Sequence, residues 1–319
     1  MKINCLICNE EKNIKFIDNY KFEVDYDLNY FGNLKIYSCE SCDLSFVSPP
    51  PSIENLENFY KNIYRSNNRP HNHDYNSSEN NYLDDRFLNY VLYLTTLLDF
   101  NKITDVFDFG AGIGDLGFLL KKKYPHLKLY CNENDKYSVK ILEKRGYRNF
   151  RNISNIDKKF DLIISLHCIE HLTDLNPLYN LKKMLKSNGN FFLEVPNCPR
   201  KKYFEQRPFD SPHLIFFTKK SWERIIQKMS LTTIDLSYSS YSLDYAFLAM
   251  QNSKNRFRNW QPDKLIFRDL VKKIIPNYLI NLRRKIINFK NFEKNDRSIN
   301  FLNNNPDSWC IRALLKNKN

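Results

Sequence analysis

The sequence predicts an α/β fold built on a doubly wound parallel sheet, and two observations indicate it. From Ile103 onward, apolar stretches of strand length alternate with segments whose apolar residues recur at helical spacing. A glycine-rich turn follows the first predicted strand and leads into the first predicted helix. The predicted strands are 103–109, 127–133, 149–153, 160–166 and 190–195, and the predicted helices lie near 113–124, 136–145 and 176–186. In such a fold, ligands bind beyond the carboxyl ends of the strands.

Two cysteine pairs precede this pattern, Cys5 with Cys8 and Cys39 with Cys42. Each pair has C-x2-C spacing, and 30 residues separate the pairs. Four thiolates in two such pairs can surround one tetrahedral Zn²⁺, and a site closed in this way is structural. We therefore expect residues 1–51 to form a zinc-binding module that ends at a run of three prolines. Redox-active pairs or unliganded thiols are the alternatives.

A helical segment is expected between this module and the alternating pattern. Apolar residues at helical spacing occupy the stretch from Leu83 to Leu98. Residues 52–102 are therefore predicted to form a helical linker and lid. His71 and His73 lie within this segment, and a solvated loop is the expected setting for both.

The glycine-rich turn "VFDFGAGIGDLG" fits two signatures for a nucleotide-like ligand. Read as G-x-G-x-x-G it starts at Gly112, and Glu133 follows 21 residues later, as an NAD-dependent oxidoreductase would require. Read as D-x-G-x-G-x-G it starts at Asp108, which places an acid at the strand end and a glycine in the turn itself. We favour the second reading, because the first starts the fingerprint too far beyond the strand.

Several segments in the same order resemble class I S-adenosylmethionine (SAM)-dependent methyltransferases. "VFDFGAGIG" resembles their first motif, and "LKLYCNENDKYSVKILEKRG" their second strand and its acid. "KFDLIISLHCIEHL" resembles the fourth strand and the segment after it, and "SPHLIFFTKKSW" a later stretch. Methyltransferases that act on sugars carry a similar N-terminal zinc module. The resemblance implies a Rossmann-like, seven-stranded class I methyltransferase fold with a small N-terminal zinc ribbon and a helical insertion before the last strand.

The resemblance also implies SAM as the cofactor and indicates the residues that bind it. The glycines let the backbone approach the cofactor where a Cβ atom would collide. Glu133 is expected to accept hydrogen bonds from both ribose hydroxyls. The predicted cofactor-binding residues, in a core at 103–240, are Asp108, Gly110, Ala111, Gly112, Gly114, Glu133, Asn134, Leu166 and His167.

Two histidines are candidates for catalysis. If the acceptor is a hydroxyl, a base must take up its proton, and imidazole suits neutral pH. We favour His213 in "SPHLIFF", because its loop follows the fifth strand on the cofactor face. His171 in "EHL" is the second candidate and is expected to brace the site. Purely structural roles remain the alternative for both.

A metal ion is a further alternative for this region. His167, Glu170 and His171 form H-x-x-E-H, and His213 follows later. The set is similar to the E-x-x-E-H…H set of metal-dependent 2′-O-methyltransferases that act on RNA. Histidine replaces the first acid here, which argues against that metal.

Positive charge is concentrated in the C-terminal part of the chain. The whole sequence has a net charge of +13, and residues 253–319 contain 16 Lys or Arg residues against 5 Asp or Glu residues. The stretch 231–241 is predicted as the sixth strand, and residues 306–319 are predicted to hold the last core strand. Residues 241–305 would then form a basic helical insertion that caps the acceptor pocket, and "CPRKKYFEQR" adds basic residues near it. We expect a small anionic acceptor, such as a nucleotide-linked or phosphorylated sugar.

The predicted activity is O-methylation of a sugar or a related anionic glycan precursor. An RNA methyltransferase that uses the basic region is the first alternative, an NAD-dependent oxidoreductase the second, and a non-catalytic module with a degenerate site the third. The first residues lack the apolar core of a signal peptide, and no apolar run reaches the length of a membrane span. A cytoplasmic protein is therefore expected, with weak contact to a membrane surface left open.

Overall fold

The computed structural model describes residues 2–23, 27–64, 85–258 and 305–318. The strands in these ranges are β1 (Ile14–Asn19), β2 (Lys35–Cys39), β3 (Ser45–Val47), β4 (Asp105–Phe109), β5 (Lys128–Asn132), β6 (Tyr147–Asn149), β7 (Phe160–Leu166), β8 (Leu185–Pro196), β9 (Ile215–Phe216), β10 (Leu231–Ser242) and β11 (Ser308–Asn317). The α-helices are α1 (Leu28–Phe31), α2 (Ile53–Asn58), α3 (Asp85–Leu97), α4 (Asp115–Lys123), α5 (Lys136–Lys144), α6 (Asn176–Lys183), α7 (Arg200–Gln206), α8 (Lys219–Met229) and α9 (Leu243–Arg258).

The central sheet has seven strands in the order β10-β11-β8-β7-β4-β5-β6. Strands β8, β7, β4, β5 and β6 run parallel, and β11 lies antiparallel between β8 and β10. Because side chains of a strand alternate between the faces, Val106 and Phe107 enter different hydrophobic clusters on the two sides of the sheet. The predicted seven-stranded, Rossmann-like fold is confirmed.

Two element boundaries differ from those predicted. Strand β6 lies at Tyr147–Asn149 rather than at 149–153. The sixth helix stops at Lys183, and the stretch "LKSNG", predicted as a helix end and a turn, already belongs to strand β8. The pairing with β7 shifts there, with Asn188 at φ +62°. A Cβ atom at Gly189 would lie 2.9 Å from the carbonyl oxygen of Phe160, so this irregularity needs glycine.

The linker and the insertion are described only in part. Helix α3 packs Tyr90, Tyr93 and Leu94 into the core, whereas Leu83, His71 and His73 lie outside the described residues. Strand β10 extends through Ser242, and α9 follows directly, so the predicted insertion begins with a helix. Its positions 259–304 lie outside the described residues. Among the described helices, none has the length and apolar composition that a membrane crossing requires.

The N-terminal module shares a sheet with a segment of the core domain. Its strands β1, β2 and β3 are extended by β9, a two-residue strand that follows β8 in the chain. Ser45 pairs with Phe216, and Phe46 pairs with Ile215. A second connection is the buried guanidinium of Arg207, which contacts Asp18 of β1 and Asp210 in the core. The predicted boundary near residue 51 is thus crossed by a continuous sheet.

Candidate active site

The glycine-rich turn follows β4 and leads into α4, where three glycines have left-handed backbones. Gly110, Gly112 and Gly114 have φ values of +70°, +55° and +75°. Such values are strained for residues that carry a Cβ atom. The turn is held by the Tyr147 hydroxyl, which donates to the Gly114 carbonyl over 2.9 Å, and by Arg145, which donates to the Ile113 carbonyl over 2.8 Å. The sequence pattern thus forms a rigid, backbone-lined turn at the carboxyl edge of the sheet.

Two acids lie behind this turn, and burial makes their ionisation costly. Asp108 occupies β4 and is 5% exposed. Burial, together with the neighbouring Glu133 and Asp115, raises the pKa of Asp108 to about 7. Burial also raises the pKa of Glu133, although backbone N–H groups of Asp135, Gly112 and Asn134 offset part of the effect. Both acids would gain from a cationic ligand placed at the turn.

Glu133 already accepts three backbone hydrogen bonds. Its Oε2 accepts from the Gly112 N–H over 2.8 Å, and its Oε1 accepts from Asn134 and Asp135 over 2.8 and 2.9 Å. A carboxylate offers about four lone-pair sites, so about one remains. For Glu133 to accept hydrogen bonds from both ribose hydroxyls, one of these three backbone hydrogen bonds has to break.

His167 directly follows β7 and has an unusual backbone conformation, with φ +50°. Its Nε2 lies 3.5 Å from Glu194 Oε1, and its Nδ1 lies 3.5 Å from Glu170 Oε1. Burial opposes the charge on the ring, but Cys310 and the two glutamates outweigh it and hold the pKa of His167 well above its ordinary value. The partly buried ring of His167 therefore favours its protonated form, at the end of the strand where the cofactor pocket is predicted.

Glu194 belongs to a buried network that sequence reasoning missed. Arg312 of β11 donates to its Oε2 from Nε and Nη2, each over 2.7 Å, and Ser239 donates over 2.8 Å. Tyr90 of α3 donates to its Oε1. Opposite charges within two apolar stretches, "FFLEVPN" and "CIRALL", are the signal that could have indicated this pair.

Glu170, His171 and His213 form a second cluster, and their candidate ligand atoms all lie within 4.8 Å of one another. The centroids of the two rings are 4.9 Å apart. Glu170 is 1% exposed, and neither of its carboxylate oxygens has a hydrogen-bond partner among the described residues. Burial, together with His171, lowers the pKa of His213 to about 3. The structure therefore brings both candidate catalytic histidines together, with His213 as a neutral imidazole.

This cluster is joined to the glycine-rich turn through Cys168. A Cβ atom at Gly110 would lie 2.3 Å from Cys168 Sγ, so the two segments touch. The His171 N–H donates to the Cys168 carbonyl, and the Leu214 N–H donates to the Glu170 carbonyl over 2.7 Å. The loops that carry the two histidines are thus fixed to each other and to the predicted cofactor site.

The four N-terminal cysteines converge in the same way. Cys5 Sγ lies 3.4 Å from Cys42 Sγ, Cys8 Sγ lies 4.0 Å from Cys39 Sγ, and all four sulfurs lie within 4.8 Å of one another. A hydrogen bond with Cys42 lowers the pKa of Cys5 to about 5, and burial raises that of Cys8 to about 11. A zinc ion with bonds of about 2.3 Å needs sulfurs about 3.8 Å apart, so the cluster suits this ion.

Three of the four basic residues of "CPRKKYFEQR" lie on α7, and the fourth, Arg207, follows it and pairs with Asp18 and Asp210. On the helix, Arg200 and Lys202 have acidic partners. Arg200 Nη2 lies 3.8 Å from Asp43, and Lys202 Nζ lies 3.2 Å from Asp244 and 3.5 Å from Asp307. They line a shallow depression outside α7 to which none of the predicted cofactor residues contributes. Part of the charge that the sequence suggested for an acceptor thus serves ion pairs between elements.

A sequence profile described as a methyltransferase domain matches residues 53–236. The chain belongs to this methyltransferase family. It is a SAM-dependent methyltransferase with a class I fold, which decides between the two glycine signatures in favour of D-x-G-x-G-x-G. Among curated proteins, none matches the chain.

Several solved structures are similar to this methyltransferase at low sequence identity and low TM-score. StiE O-MT is 18% identical, covers 73% of this chain and 74% of its own, and has a TM-score of 0.41. The O-methyltransferase from a trans-AT PKS multienzyme of Brevibacillus brevis, in complex with S-adenosyl-L-homocysteine, is 16% identical over 73% and 75% of the two chains, at a TM-score of 0.43. Coclaurine N-methyltransferase bound to N-methylheliamine and SAH is 15% identical over 75% of each chain, at 0.47.

The residues at the turn fit SAM. A Cβ atom at Gly112 would meet no atom within 4 Å, so the backbone there faces open space that a ligand can enter. SAM carries a sulfonium and an ammonium group, and the costly charges of Asp108 and Glu133 would be relieved by them. Leu166 is the last residue of β7, and His167 follows it. Ala111 lies within the glycine-rich turn, and Asn134 follows Glu133. The contact of each residue with the cofactor stays a prediction.

Proposed function

We propose that this methyltransferase methylates an oxygen atom of a sugar or another small anionic glycan precursor. The observation that carries the proposal is the cluster of Glu170, His171 and His213 next to the glycine-rich turn. A hydroxyl has to lose its proton during methylation, and imidazoles at the acceptor side can take it up. The sugar is suggested by the resemblance of the N-terminal module, and the negative charge by the basic C-terminal region.

SAM supplies a methyl group on a sulfonium sulfur. The acceptor oxygen forms a bond to the methyl carbon while the carbon–sulfur bond breaks and its electron pair stays on sulfur. The hydroxyl proton passes to the His171–His213 pair and stays on His171, because the pKa of His213 is lowered to about 3. The buried Glu170 carboxylate, whose Oε1 lies 3.9 Å from His171 Nε2, stabilises the resulting positive charge. Tyr60 and Tyr64, whose ring centroids lie 6.0 and 6.4 Å from that of His171, form an aromatic wall beside the pair.

We also propose that Cys5, Cys8, Cys39 and Cys42 bind a structural zinc ion. The donor set supports it, because four thiolates leave no position for a substrate. The four sulfurs, of which that of Cys8 is only partly buried, converge from the N-terminal loop and from the β2–β3 hairpin, so the ion would join these segments. The zinc ion would stabilise the N-terminal module and, because β3 pairs with β9, also the loop that carries His213.

Methyl transfer from radiolabelled SAM to a panel of acceptors tests the proposal. The panel holds nucleotide-linked sugars, sugar phosphates, free sugars, RNA and peptides. We expect transfer to an anionic sugar that is lost in Glu133→Ala, with the cofactor-dependent rise in melting temperature also reduced. Transfer to RNA alone, or to a nitrogen atom of any acceptor, would overturn the assignment.

A further inference from the structure

We infer that Tyr241 and Tyr245 form an aromatic platform on which the sugar ring of the acceptor packs, and that Arg86 binds the anionic group of the same molecule. The choice of a sugar rests on the proposed function, whereas the platform is argued from the positions of the three side chains. The two tyrosines are 44% and 48% exposed. Aromatic side chains together with a few polar groups are the usual lining of a small-molecule site.

The end of β10 places Tyr241 beside the predicted cofactor pocket. Ser239 pairs with Cys310 of β11, whose Sγ lies 3.9 Å from Nε2 of His167. Beyond this pair the register of the two strands shifts, and Ser240 has a left-handed backbone with φ +73°. Tyr241 comes directly after this irregularity. It therefore lies at the carboxyl edge of the sheet, next to the part of β10 that borders His167.

The electrostatic surroundings of Tyr241 support this position. Partial burial and the neighbouring Cys310 raise the pKa of its hydroxyl, and the charges of His167 and Arg86 lower that pKa in part. The Nδ1 atom of His167 in turn lies 3.5 Å from Oε1 of Glu170, which belongs to the candidate catalytic cluster. An acceptor on the platform would thus border both the cofactor pocket and the histidines that take up its proton.

Tyr245 fixes the geometry of the platform. It lies in the first turn of α9, and its ring packs against that of Tyr241 with centroids 4.9 Å apart and planes at 65°. The Tyr245 N–H donates to Ser242 Oγ over 3.3 Å, which holds the start of α9 against the end of β10. One face of a sugar ring presents C–H groups, which suit the negative face of an aromatic ring. The tyrosine hydroxyls can donate to and accept from sugar hydroxyls.

Helix α3 brings Arg86 to the same edge of the sheet. Tyr93 donates to Asp235 in the middle of β10, whereas Tyr90 reaches Glu194 near the carboxyl end of β8. The helix therefore starts at the carboxyl edge. Arg86 precedes Tyr90 by four residues, so it lies one turn farther along the same side of α3. Its guanidinium offers five N–H donors in a geometry that matches a phosphate group.

Binding of UDP-glucose to the full chain loaded with S-adenosyl-L-homocysteine tests this inference, with UDP as the matched probe that lacks the sugar. Isothermal titration would compare the wild type with Tyr245→Leu, Tyr245→Phe and Arg86→Gln, after circular dichroism has confirmed folding. Phe16→Leu is the control, because Phe16 is an exposed aromatic residue of β1 in the N-terminal module. We expect the dissociation constant of UDP-glucose to rise about 3- to 10-fold in Tyr245→Leu. Tyr245→Phe and the control should bind like the wild type, and Arg86→Gln should weaken binding of both probes.

Wild-type affinity for UDP-glucose that does not exceed the affinity for UDP would overturn the inference. An equal loss in Phe16→Leu and Tyr245→Leu would also overturn it. Methylation of a sugar whose KM stays unchanged in Tyr245→Leu would remove the platform and leave O-methylation standing. Tyrosine-dependent binding of UDP-glucose by a protein that methylates no hydroxyl would support the platform and remove the proposed function.

Discussion

Replacing Asp108 by asparagine should stabilise the protein while it weakens SAM binding. The side chain is buried at the end of β4, and burial with two acidic neighbours raises its pKa from 3.8 to about 7. The folded state thus favours the protonated form, which asparagine imitates in shape and charge. Above pH 7 the wild type has to bury the charge, and the variant does not.

The size of the effect follows from the shift and depends on pH. A folded pKa raised by about three units costs up to about 4 kcal/mol of unfolding free energy above pH 7, at 1.36 kcal/mol per unit. The stability of the wild type relative to the variant falls as pH rises from about 4 to 7, because the unfolded chain releases the proton first. At pH 5 the difference should shrink to about 1–2 kcal/mol.

Urea unfolding at pH 5 and pH 8 measures this difference, with the exposed Asp157→Asn as the control. Isothermal titration with SAM measures the second half of the prediction, in two buffers that differ in ionisation enthalpy. We expect the wild type to release a proton on binding near pH 7, since the cationic ligand lowers the pKa of Asp108, and the variant to release less. An Asp108→Asn variant that is no more stable at pH 8, or whose gain is the same at both pH values, would refute the reasoning.

Three further predictions concern the glycines, the cysteines and the buried ion pair. Gly110→Ala should lower the melting temperature strongly, because it adds a Cβ atom 2.3 Å from Cys168 Sγ to the strain of a positive φ. Gly112→Ala should lower it less, by the strain of its φ of +55° alone, since its Cβ atom meets no atom within 4 Å, and should lose SAM affinity. Equal effects of the two variants on both quantities would contradict this. Removal of zinc by a strong chelator, or Cys42→Ser, should unfold the N-terminal module, since structural zinc sites contribute about 10–16 kcal/mol of binding free energy. Purified protein that contains no zinc, and whose melting temperature a chelator does not change, would contradict this prediction. Arg312→Ala should cost about 3–5 kcal/mol of unfolding free energy, because it removes the guanidinium that compensates the buried charge of Glu194. The double variant with Glu194→Gln should cost less than the sum of the two single changes. Additivity in urea unfolding would show that the two side chains do not interact.

The sequence was sufficient for the features that are local in the chain. The strand β4, the glycine-rich turn and α4 follow each other directly, so their pattern predicts their geometry. The four cysteines were predicted to converge because each C-x2-C pair is a local turn and thiolates suit a shared ion. The boundaries of β6 and β8 were wrong where tertiary pairing overrides local pattern, as at the irregular stretch that ends in Gly189.

The features that join distant segments could not be predicted in the same way. Glu194 and Arg312 are 118 residues apart, and their pairing depends on β11 entering the sheet beside β8. The pairing of Phe46 with Ile215 likewise depends on two segments meeting in space. His171 and His213 were both candidates from their positions after strands, but only the fold shows that they share the carboxylate of Glu170.

The part of the chain that matches the family profile is shorter than the part that forms the central sheet, because strand β11 lies outside the match. The profile match ends at residue 236, inside β10, whereas the strand that bonds β10 to β8 starts at Ser308. The profile match begins at residue 53, so it also leaves out strand β3, which pairs with β9. A fragment cut at those limits would leave β8, β9 and the remaining part of β10 as unpaired edge strands with apolar neighbours. Such edges promote aggregation. Mutational or truncation studies of this enzyme therefore need both ends of the chain, even when only the cofactor pocket is of interest.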